Sequence, residues 1–184
     1  MSTAFPGFQG PSASTEAPLE MLAACHIRIQ RQCATLRRLA AHLPVNGSDQ
    51  DACSAAAGIL RYFDTAACNH HADEEEDLFP ALLESMAGSD AVCIRELTSQ
   101  LTAEHRQLEA RWAEIRPLLA RIADGQPAQL APETVDAFVG AYDRHMRMEE
   151  DEVLPMAARL LGDRDIERIG RAMRKRRGIS DAML

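Results

Sequence analysis

The sequence is poor in aromatic residues and contains neither a long apolar run nor a C-x-x-C pair. Aromatic residues make up 4% of the 184 positions, and together with few β-branched residues this disfavours a β-sheet protein. No apolar stretch approaches the roughly 20 residues that a membrane-spanning helix needs. The first 17 residues lack the charged head and apolar centre of a secretory signal. We therefore expect a cytoplasmic protein without a membrane partner.

The five cysteines stand singly, at positions 25, 33, 53, 68 and 93. Their odd number and their spacing argue against a disulfide framework and against a zinc knuckle. We expect small buried thiols in a reducing compartment. The formal net charge of −8 gives no general reason to expect nucleic acid as a partner.

What the sequence does contain favours helices. Hydrophobic residues make up 46% and charged residues 26% of the chain, and Ala, Leu, Glu and Arg are abundant. Glycines separate stretches of apolar residues spaced three or four apart, which predict helices. The predicted helices are 17–43, 50–86, 90–123, 132–161 and a shorter one at 163–177. We expect a flexible N-terminal arm (1–16), an all-α, up-down-up-down four-helix bundle (17–161), and a basic C-terminal helix and tail (162–184).

Each of the four long helices carries a histidine on its apolar stripe, and two of them carry a glutamate one turn later. These residues are His26, His70, Glu74, His105, His145 and Glu149. A lone histidine in such a stripe is usually a core residue, but a buried carboxylate needs a cation or strong hydrogen-bond partners. Counting from the helix ends at about 1.5 Å per residue places the four histidines near one level. The pattern therefore indicates a metal site inside the bundle.

An internal repeat sharpens the choice of residues. The segment HHADEEEDLFP (70–80) aligns without gaps with HMRMEEDEVLP (145–155). The shared element is a histidine followed four residues later by a glutamate, a spacing that points two side chains of one helix at one place. Because the second copy has Met146 in place of His71, we expect His71, Glu75 and Glu76 to form a solvated shoulder of the helix.

Four histidines and two carboxylates suit iron or manganese, with zinc as an alternative. Six protein ligands exceed what one metal ion with an open position needs. Two metal ions bridged by the two carboxylates fit better, and oxide or hydroxide can complete the bridge. The residues therefore favour a pair of metal ions, either iron or manganese, with zinc as an alternative.

The H-x-x-x-E…LFP segment, its second copy and the single histidines of the first and third helices resemble the hemerythrin-like, cation-binding HHE family. The resemblance covers about residues 19–160. It implies a non-haem di-iron centre in a four-helix bundle, with the ligands His26, His70, Glu74, His105, His145 and Glu149. Oxygen-carrying hemerythrins have H-x-x-x-H on the third helix and a distal Asp on the fourth. This chain has His105 with Glu109 there, which argues against a simple reversible oxygen carrier, and we expect Glu109 at the surface.

The leading functional hypothesis is a di-iron protein that binds or senses oxygen or nitric oxide. It is motivated by the set of potential ligands and by the lack of any nucleophile–base–oxyanion grouping for hydrolysis. Tyr142, one turn before His145, would either donate a hydrogen bond to the bound ligand or pack with its hydroxyl in water. One alternative is a di-iron redox enzyme acting on peroxide or nitric oxide, or an iron donor for iron–sulfur repair in oxidative and nitrosative stress.

A further alternative is a metal-free interaction module that uses the basic C-terminal residues. These are Arg168, Arg171, Arg174, Lys175, Arg176 and Arg177. Such a run is ordinarily a solvated helical face or a frayed end, and no aromatic residues are interleaved to read nucleic acid. The sequence leaves open whether the bundle forms a homodimer.

Overall fold

The structure, a computed structural model, describes residues 17–85 and 90–179. These residues form five helical segments and contain no β-strand. The segments are α1 (Pro18–Asn46), α2 (50–85), α3 (Asp90–Ala123), α4 (132–160) and α5 (Asp163–Arg176). The predicted all-α class is confirmed, and the helix ends lie close to the predicted ones. The predicted arm at 1–16 and the last residues of the tail lie outside the described residues.

Local signals explain where the helices begin and end. Pro18 and Pro132 open α1 and α4 in the first turn, where a missing N–H costs nothing. Asp49 caps α2 by accepting a hydrogen bond of 2.8 Å from the Ala52 N–H. Gly47, at φ +65°, ends α1 in a conformation that favours glycine. The polar loop between α1 and α2 is therefore only three residues long.

Helices α2 and α4 contain wide π-helical turns at matching places. In α2 a π turn spans Glu74–Leu78, and in α4 another spans Glu149–Val153; a further one, Tyr62–Ala67, lies earlier in α2. Each of the two matching turns begins at the glutamate of the repeated motif and is followed by the motif proline. A proline cannot donate to the helical hydrogen-bond ladder, so it is tolerated where the ladder is already interrupted. Such turns are frequent at functional sites.

The four long helices contact one another in a ring. Helix α1 packs against α2 and α4, α2 packs against α3, and α3 packs against α4. One apolar cluster contains Ile29, Ile59, Ile115 and Phe138, and a second contains Leu22, Leu78, Leu101 and Val153. Along the chain, α1 and α3 run from the second cluster to the first, and α2 and α4 run the opposite way. The predicted apolar stripes thus face inward, and a polar layer lies between the two clusters.

Helix α5 packs against α1 and the middle of α2, and its Ile169 and Met173 are fully buried in the second cluster. The expectation of a solvated or frayed basic end is wrong for Arg176 and Arg177. Their side chains are 16% and 17% exposed and form ion pairs with Asp73 of α2. Acidic residues preceding the site attract the basic end of the helix, a long-range pairing that the local sequence does not reveal.

Two smaller findings complete the fold. Cys25 and Cys33 are buried as expected, but Cys68 and Cys93 are exposed, so the expectation of uniformly buried thiols is wrong; all five are free. None of the helices in the described part of the chain is both long and apolar enough to cross a membrane.

Candidate metal centre

The structure brings all six predicted residues together in the polar layer. Each is at most 1% exposed: His26, His70, Glu74, His105, His145 and Glu149. All four long helices contribute, and the two apolar clusters seal the layer on both sides. Six polar side chains in such a position need either a complete hydrogen-bond network or a bound cation.

The two glutamates lie at the middle of the cluster. Glu149 Oε2 is 3.1 Å from His26 Nε2, and its Oε1 is 3.0 Å from His145 Nε2. Glu74 Oε1 is 3.3 Å from His70 Nε2, and its Oε2 is 3.3 Å from His105 Nε2. Each carboxylate therefore spans histidines of two different helices, which is the placement that a bridging ligand requires.

Three of the histidines are oriented by carboxylates outside the layer. His26 Nδ1 lies 3.0 Å from Glu150 Oε1 and His145 Nδ1 lies 3.0 Å from Glu104 Oε2. His105 Nδ1 lies 2.7 Å from Glu75 Oε1. Since a carboxylate accepts, Nδ1–H donates in each pair, and the lone pair of Nε2 faces the cluster. This is the arrangement found around metal-bound histidines.

The inward-facing nitrogen and oxygen atoms of the cluster do not complete one another's hydrogen bonds. The Nε2 atoms of His105 and His145 are only 2.9 Å apart, although both Nδ1 atoms are engaged as donors, so a proton or a cation must lie between two lone pairs. Several buried atoms have no hydrogen-bond partner within the described part of the chain: His26 Nε2, both ring nitrogens of His70, His71 Nε2, Glu74 Oε2 and both oxygens of Glu149. Nitrogen and carboxylate donors left unpaired in this way fit a metal centre.

His71 belongs to this cluster, and its expected place on a solvated shoulder is wrong. Its side chain is 7% exposed and its ring stacks on that of His105 with 4.0 Å between centroids. The shoulder expectation holds for Glu76, which is 67% exposed, but Glu75 is 21% exposed and contacts His105. The sequence comparison missed His71 because the second copy of the repeat has Met146 at the matching position, although Met146 is itself buried.

Glu109 lies at the surface, as expected from the sequence. Its side chain is 51% exposed and pairs with Arg106. It therefore does not replace the second histidine that oxygen-carrying hemerythrins have on the third helix. In this chain His71, from the neighbouring helix, brings an additional nitrogen to the same side of the cluster.

The potential ligand atoms fall into overlapping groups, within each of which the atoms lie within 4.8 Å of one another. One group is His26, His70, Glu74 and Glu149; a second is Glu74, His105, His145 and Glu149; a third is His71, His105 and His145. Both glutamates belong to the first two groups. Two of these groups of potential ligands therefore share both carboxylates.

Burial and close charges perturb the acid–base behaviour of the cluster. Burial raises the pKa of Glu74 to about 7, and the nearby Glu149 acts in the same direction. Burial also acts to raise the pKa of Glu149, but the surrounding histidines outweigh it and hold that pKa well below its usual range. Burial lowers the pKa of His70 to about 3, with His26 adding to the effect. His70 is therefore neutral, and one of its two ring nitrogens has a lone pair available to a metal ion.

Burial likewise opposes protonation of His105, but its contacts with Glu149 and Glu74 outweigh this effect and raise its pKa to about 10. The same balance, with Glu149 as the main partner, raises the pKa of His26 and of His145. The carboxylates of the layer thus favour positive charge on the histidines beside them. They would favour a metal cation for the same reason.

Sequence reasoning missed the three orienting carboxylates. A signal existed for two of them, because Glu75 and Glu150 occupy the same position in the two copies of the internal repeat. Each follows a cluster glutamate at the start of a π turn and reaches a histidine of another helix. No comparable signal marks Glu104, which precedes His105 on α3 and whose partner is 41 residues away.

A cavity of about 210 Å³ lies between α2 and α3 and reaches the cluster. Its inner wall includes His71 and Tyr142, and its outer part includes the exposed residues Cys68, Arg106 and Glu109. Tyr142 is 3% exposed, so its side chain faces this cavity and the apolar core. The cavity therefore connects the surface with the His71 side of the cluster.

Four helices that carry inward histidines and carboxylates at one level define a class of helical proteins with a metal site between the helices. Residues 17–157 match the family model of the hemerythrin HHE cation-binding domain, and the chain belongs to that family. The resemblance seen in the sequence motifs is confirmed.

A protein of Haemophilus influenzae (strain ATCC 51907 / DSM 11121 / KW20 / Rd), described as an uncharacterized protein, is similar over nearly its whole length. It is 31% identical to this chain over 169 residues, which cover 92% of this chain and 95% of that protein. The similarity therefore includes the helices that form the site.

Proposed function

We propose that this protein is a non-haem di-iron protein that binds or senses oxygen or nitric oxide in the core of an up-down-up-down four-helix bundle. The observation that carries the proposal is the shared position of Glu74 and Glu149, which belong to two of the three groups of potential ligands. Two carboxylates common to two adjacent positions suit a pair of bridged metal ions better than one ion.

The proposed ligands divide unequally between the two positions. His26 and His70 serve the first, and His105 and His145 serve the second, with Glu74 and Glu149 between them. His71 adds a third nitrogen to the second position. A ferrous pair, when bound, supplies the electrons with which such a site reacts with a diatomic molecule.

The protein's own residues would control access and orientation. The two apolar clusters keep bulk water from the layer, and the cavity beside His71 gives small molecules a way in from the surface. Glu75, Glu104 and Glu150 hold three histidines with Nε2 facing inward. We further infer that Tyr142, at the inner wall of the cavity, contacts the ligand or water near the site.

Metal content per chain, measured on protein purified without chelator, tests the proposal first. We expect close to two iron ions, with manganese or zinc as alternatives to be identified in the same measurement. No bound metal after anaerobic loading with ferrous ions would overturn the proposal. The metal-free interaction module would then be the better explanation, although Arg176 and Arg177 are already engaged with α2.

Reactivity is tested on the loaded protein. Stopped-flow mixing of the ferrous protein with oxygen and with nitric oxide should give an optical change for at least one gas. The Ala72→Leu variant, which narrows the cavity, should slow that reaction without changing the metal content. A ferrous protein that reacts with neither gas would contradict the binding or sensing function.

A redox enzyme acting on peroxide or nitric oxide is the second candidate, and the open cavity favours it because turnover requires exchange with solvent. Repeated consumption of hydrogen peroxide or nitric oxide by the loaded protein would distinguish catalysis from stoichiometric binding. Transfer of iron to an apo iron–sulfur protein would instead indicate an iron donor. The cytoplasmic location remains a prediction from the sequence, which leaves the formation of a homodimer open.

A further inference from the structure

A buried carboxylate directly before the cluster glutamate of α2 has no role in the proposed metal centre. Asp73 is 0% exposed and is the last residue of the α-helical segment that ends where the π turn Glu74–Leu78 begins. A buried carboxylate is stable only when it is paired and hydrogen-bonded. Its partners therefore act on the point of the helix from which Glu74 projects.

Those partners come from the end of α5. Arg177 forms a bidentate interaction with Asp73, with Nη1 3.0 Å from Oδ1 and Nη2 2.5 Å from Oδ2. Arg176 donates to the same carboxylate through Nη1. We call this set of three residues, Asp73 with Arg176 and Arg177, the arginine clamp. A planar guanidinium fixes the orientation of a carboxylate more strictly than a lysine can.

The clamp also holds the π turn itself. Arg176 Nη2 lies 2.7 Å from Glu76 Oε2 and 2.8 Å from Asp77 Oδ2. Residues 73–77 are five consecutive acids, which repel one another when crowded into one turn. Arg176 and Arg177 bind three of these five acids, while Glu74 faces the histidines. The clamp thus supports the turn against the repulsion of its own charges.

Comparison with the second copy of the repeat shows that this support is specific to α2. The position of Asp73 corresponds to Met148 in α4, whose sulfur accepts a contact of 3.6 Å from Gln100 Nε2. The same ligand geometry in α4 therefore exists without a buried carboxylate at that point. The acid occurs in the copy on which α5 packs, where Ile169 and Met173 anchor the helix in the core.

We propose that α5 is a positioning element of the metal centre: Arg176 and Arg177 bind Asp73, fix the π turn of α2 and thereby hold Glu74 where it serves both metal positions. The inference rests on the proposed metal centre. It assigns the basic C-terminal end a role inside the protein, in setting metal affinity, in place of contact with an acidic partner.

The test uses full-length Arg177→Met and Asp73→Asn variants with cobalt(II) as the metal. We measure the number of ions bound, their affinity in competition with a chromophoric chelator, and the visible cobalt spectrum, which reports coordination geometry. Loss of a residue that orients a ligand lowers metal affinity by about 10–100-fold, and we expect this loss together with an altered spectrum. Circular dichroism of the metal-free variants establishes that they are folded.

Arg171→Met is the matched control, since Arg171 lies on the same helix and, within the described part of the chain, pairs with Glu167 one turn away at 2.8 Å. It should bind cobalt like the wild type. Arg177→Lys keeps the positive charge but cannot form the bidentate interaction. Its affinity for cobalt(II) should therefore lie between those of the wild type and Arg177→Met. If a single variant does not fold, the double variant Asp73→Asn with Arg177→Gln removes both charges of the buried pair and provides the same measurement.

Folded clamp variants that bind two cobalt ions with wild-type affinity and spectrum would overturn the inference and leave the clamp as an attachment of α5 alone. A wild-type protein that binds no metal would instead overturn the proposed function. The two failures are therefore distinguishable within one set of measurements.

Discussion

At the scale of single residues, His71 decides how many nitrogen ligands the proposed centre has. It is buried against His105 and its Nε2 has no hydrogen-bond partner within the described part of the chain. The third helix offers only one histidine to the cluster, because Glu109 is at the surface. The ring nitrogen of His71, from α2, thus lies on the side of the cluster where α3 supplies no second histidine.

We predict that His71→Leu lowers the metal affinity of one of the two positions by at least about tenfold. Leucine fills much of the space of the buried imidazole but has no ligand atom. The first position, with His26 and His70, should keep its metal. Titration with ferrous or cobalt(II) ions, followed by metal analysis, should then give one tight and one weak site. His42→Leu, at a half-buried histidine outside the cluster, is the control. Two equally tight sites in His71→Leu would show that His71 is not a ligand.

The sequence alone identified the six central residues because a charged group on an apolar stripe contradicts the helical pattern and is visible without a structure. It did not identify His71, since the repeat has methionine at the matching position and an adjacent residue on a regular helix points about 100° away. Nor did it identify Glu104, whose role depends on a partner on another helix. Contacts between helices leave no mark in local spacing.

At the scale of the helices, the π turns explain how two consecutive glutamates can both contact histidines of the cluster. In each copy of the repeat, the first glutamate faces the cluster and the second reaches a histidine of another helix: Glu75 reaches His105 and Glu150 reaches His26. Hydrophobic periodicity could predict the helices and their ends, because caps and glycines mark them. It could not predict the π turns, since one extra residue in a turn barely disturbs a pattern of threes and fours.

We predict that Glu150→Gln lowers the affinity of the centre for ferrous ions by about tenfold, the lower end of the range for residues that orient a ligand, because the side chain is 45% exposed. A neutral amide is a weaker acceptor for the His26 Nδ1–H than a carboxylate. Glu152→Gln, an exposed acid in the same π turn, should have no effect. Equal affinities of the two variants in chelator competition would argue against an orienting role for Glu150.

The start of α2 provides a test of helix capping and its pH dependence. The hydrogen bond from the Ala52 N–H is the main reason that the pKa of Asp49 is lowered from its usual value of 3.8. A lowered pKa means that the ionised form stabilises the fold above that value and that the stabilisation is lost as the pH falls through the folded-state pKa. His42, 2.9 Å from Asp49 Oδ2, adds to it.

Asp49→Ala should therefore lower the melting temperature by a few degrees at pH 7. The difference from wild type should shrink as the pH is lowered below about 4, where the wild-type carboxyl becomes protonated. Asp51→Ala, which removes a charge from the same turn without removing the capping acceptor, should change the melting temperature less. A difference that is independent of pH would assign the effect to something other than the ionised cap.

At the scale of the whole molecule, the polar layer destabilises the fold unless a cation is bound. A metal ion held by residues of several helices would join those helices to one another. Without a cation, unpaired nitrogen and oxygen atoms lie between two apolar clusters, and such atoms oppose folding. The sequence predicted the layer because the histidines fall near one level on four helices. It did not predict how α5 closes the fold, since the clamp joins residues about 100 positions apart.

Metal loading should consequently stabilise the entire chain and not the site alone. A ligand present at about 1,000 times its dissociation constant contributes about 4 kcal/mol when it binds the folded state only, and each kcal/mol raises the melting temperature of a protein of this size by about 2–4 °C. We therefore expect scanning calorimetry under anaerobic conditions to show a rise of about 10 °C on saturation with ferrous ions. Because all four long helices supply ligands, the transition should stay single and move as a whole.

The control for this effect is the double variant Glu74→Gln with Glu149→Gln, which removes both shared carboxylates but keeps the size of the side chains. Its melting temperature should hardly respond to ferrous ions, and in their absence it should lie below that of the metal-free wild type, because the buried histidines lose the carboxylates that pair with them. A wild-type melting temperature that does not change on loading would mean that the metal binds equally well to the unfolded chain or not at all. Stabilisation confined to an early, partial transition would place the metal on one helix pair instead of at the layer where all four meet.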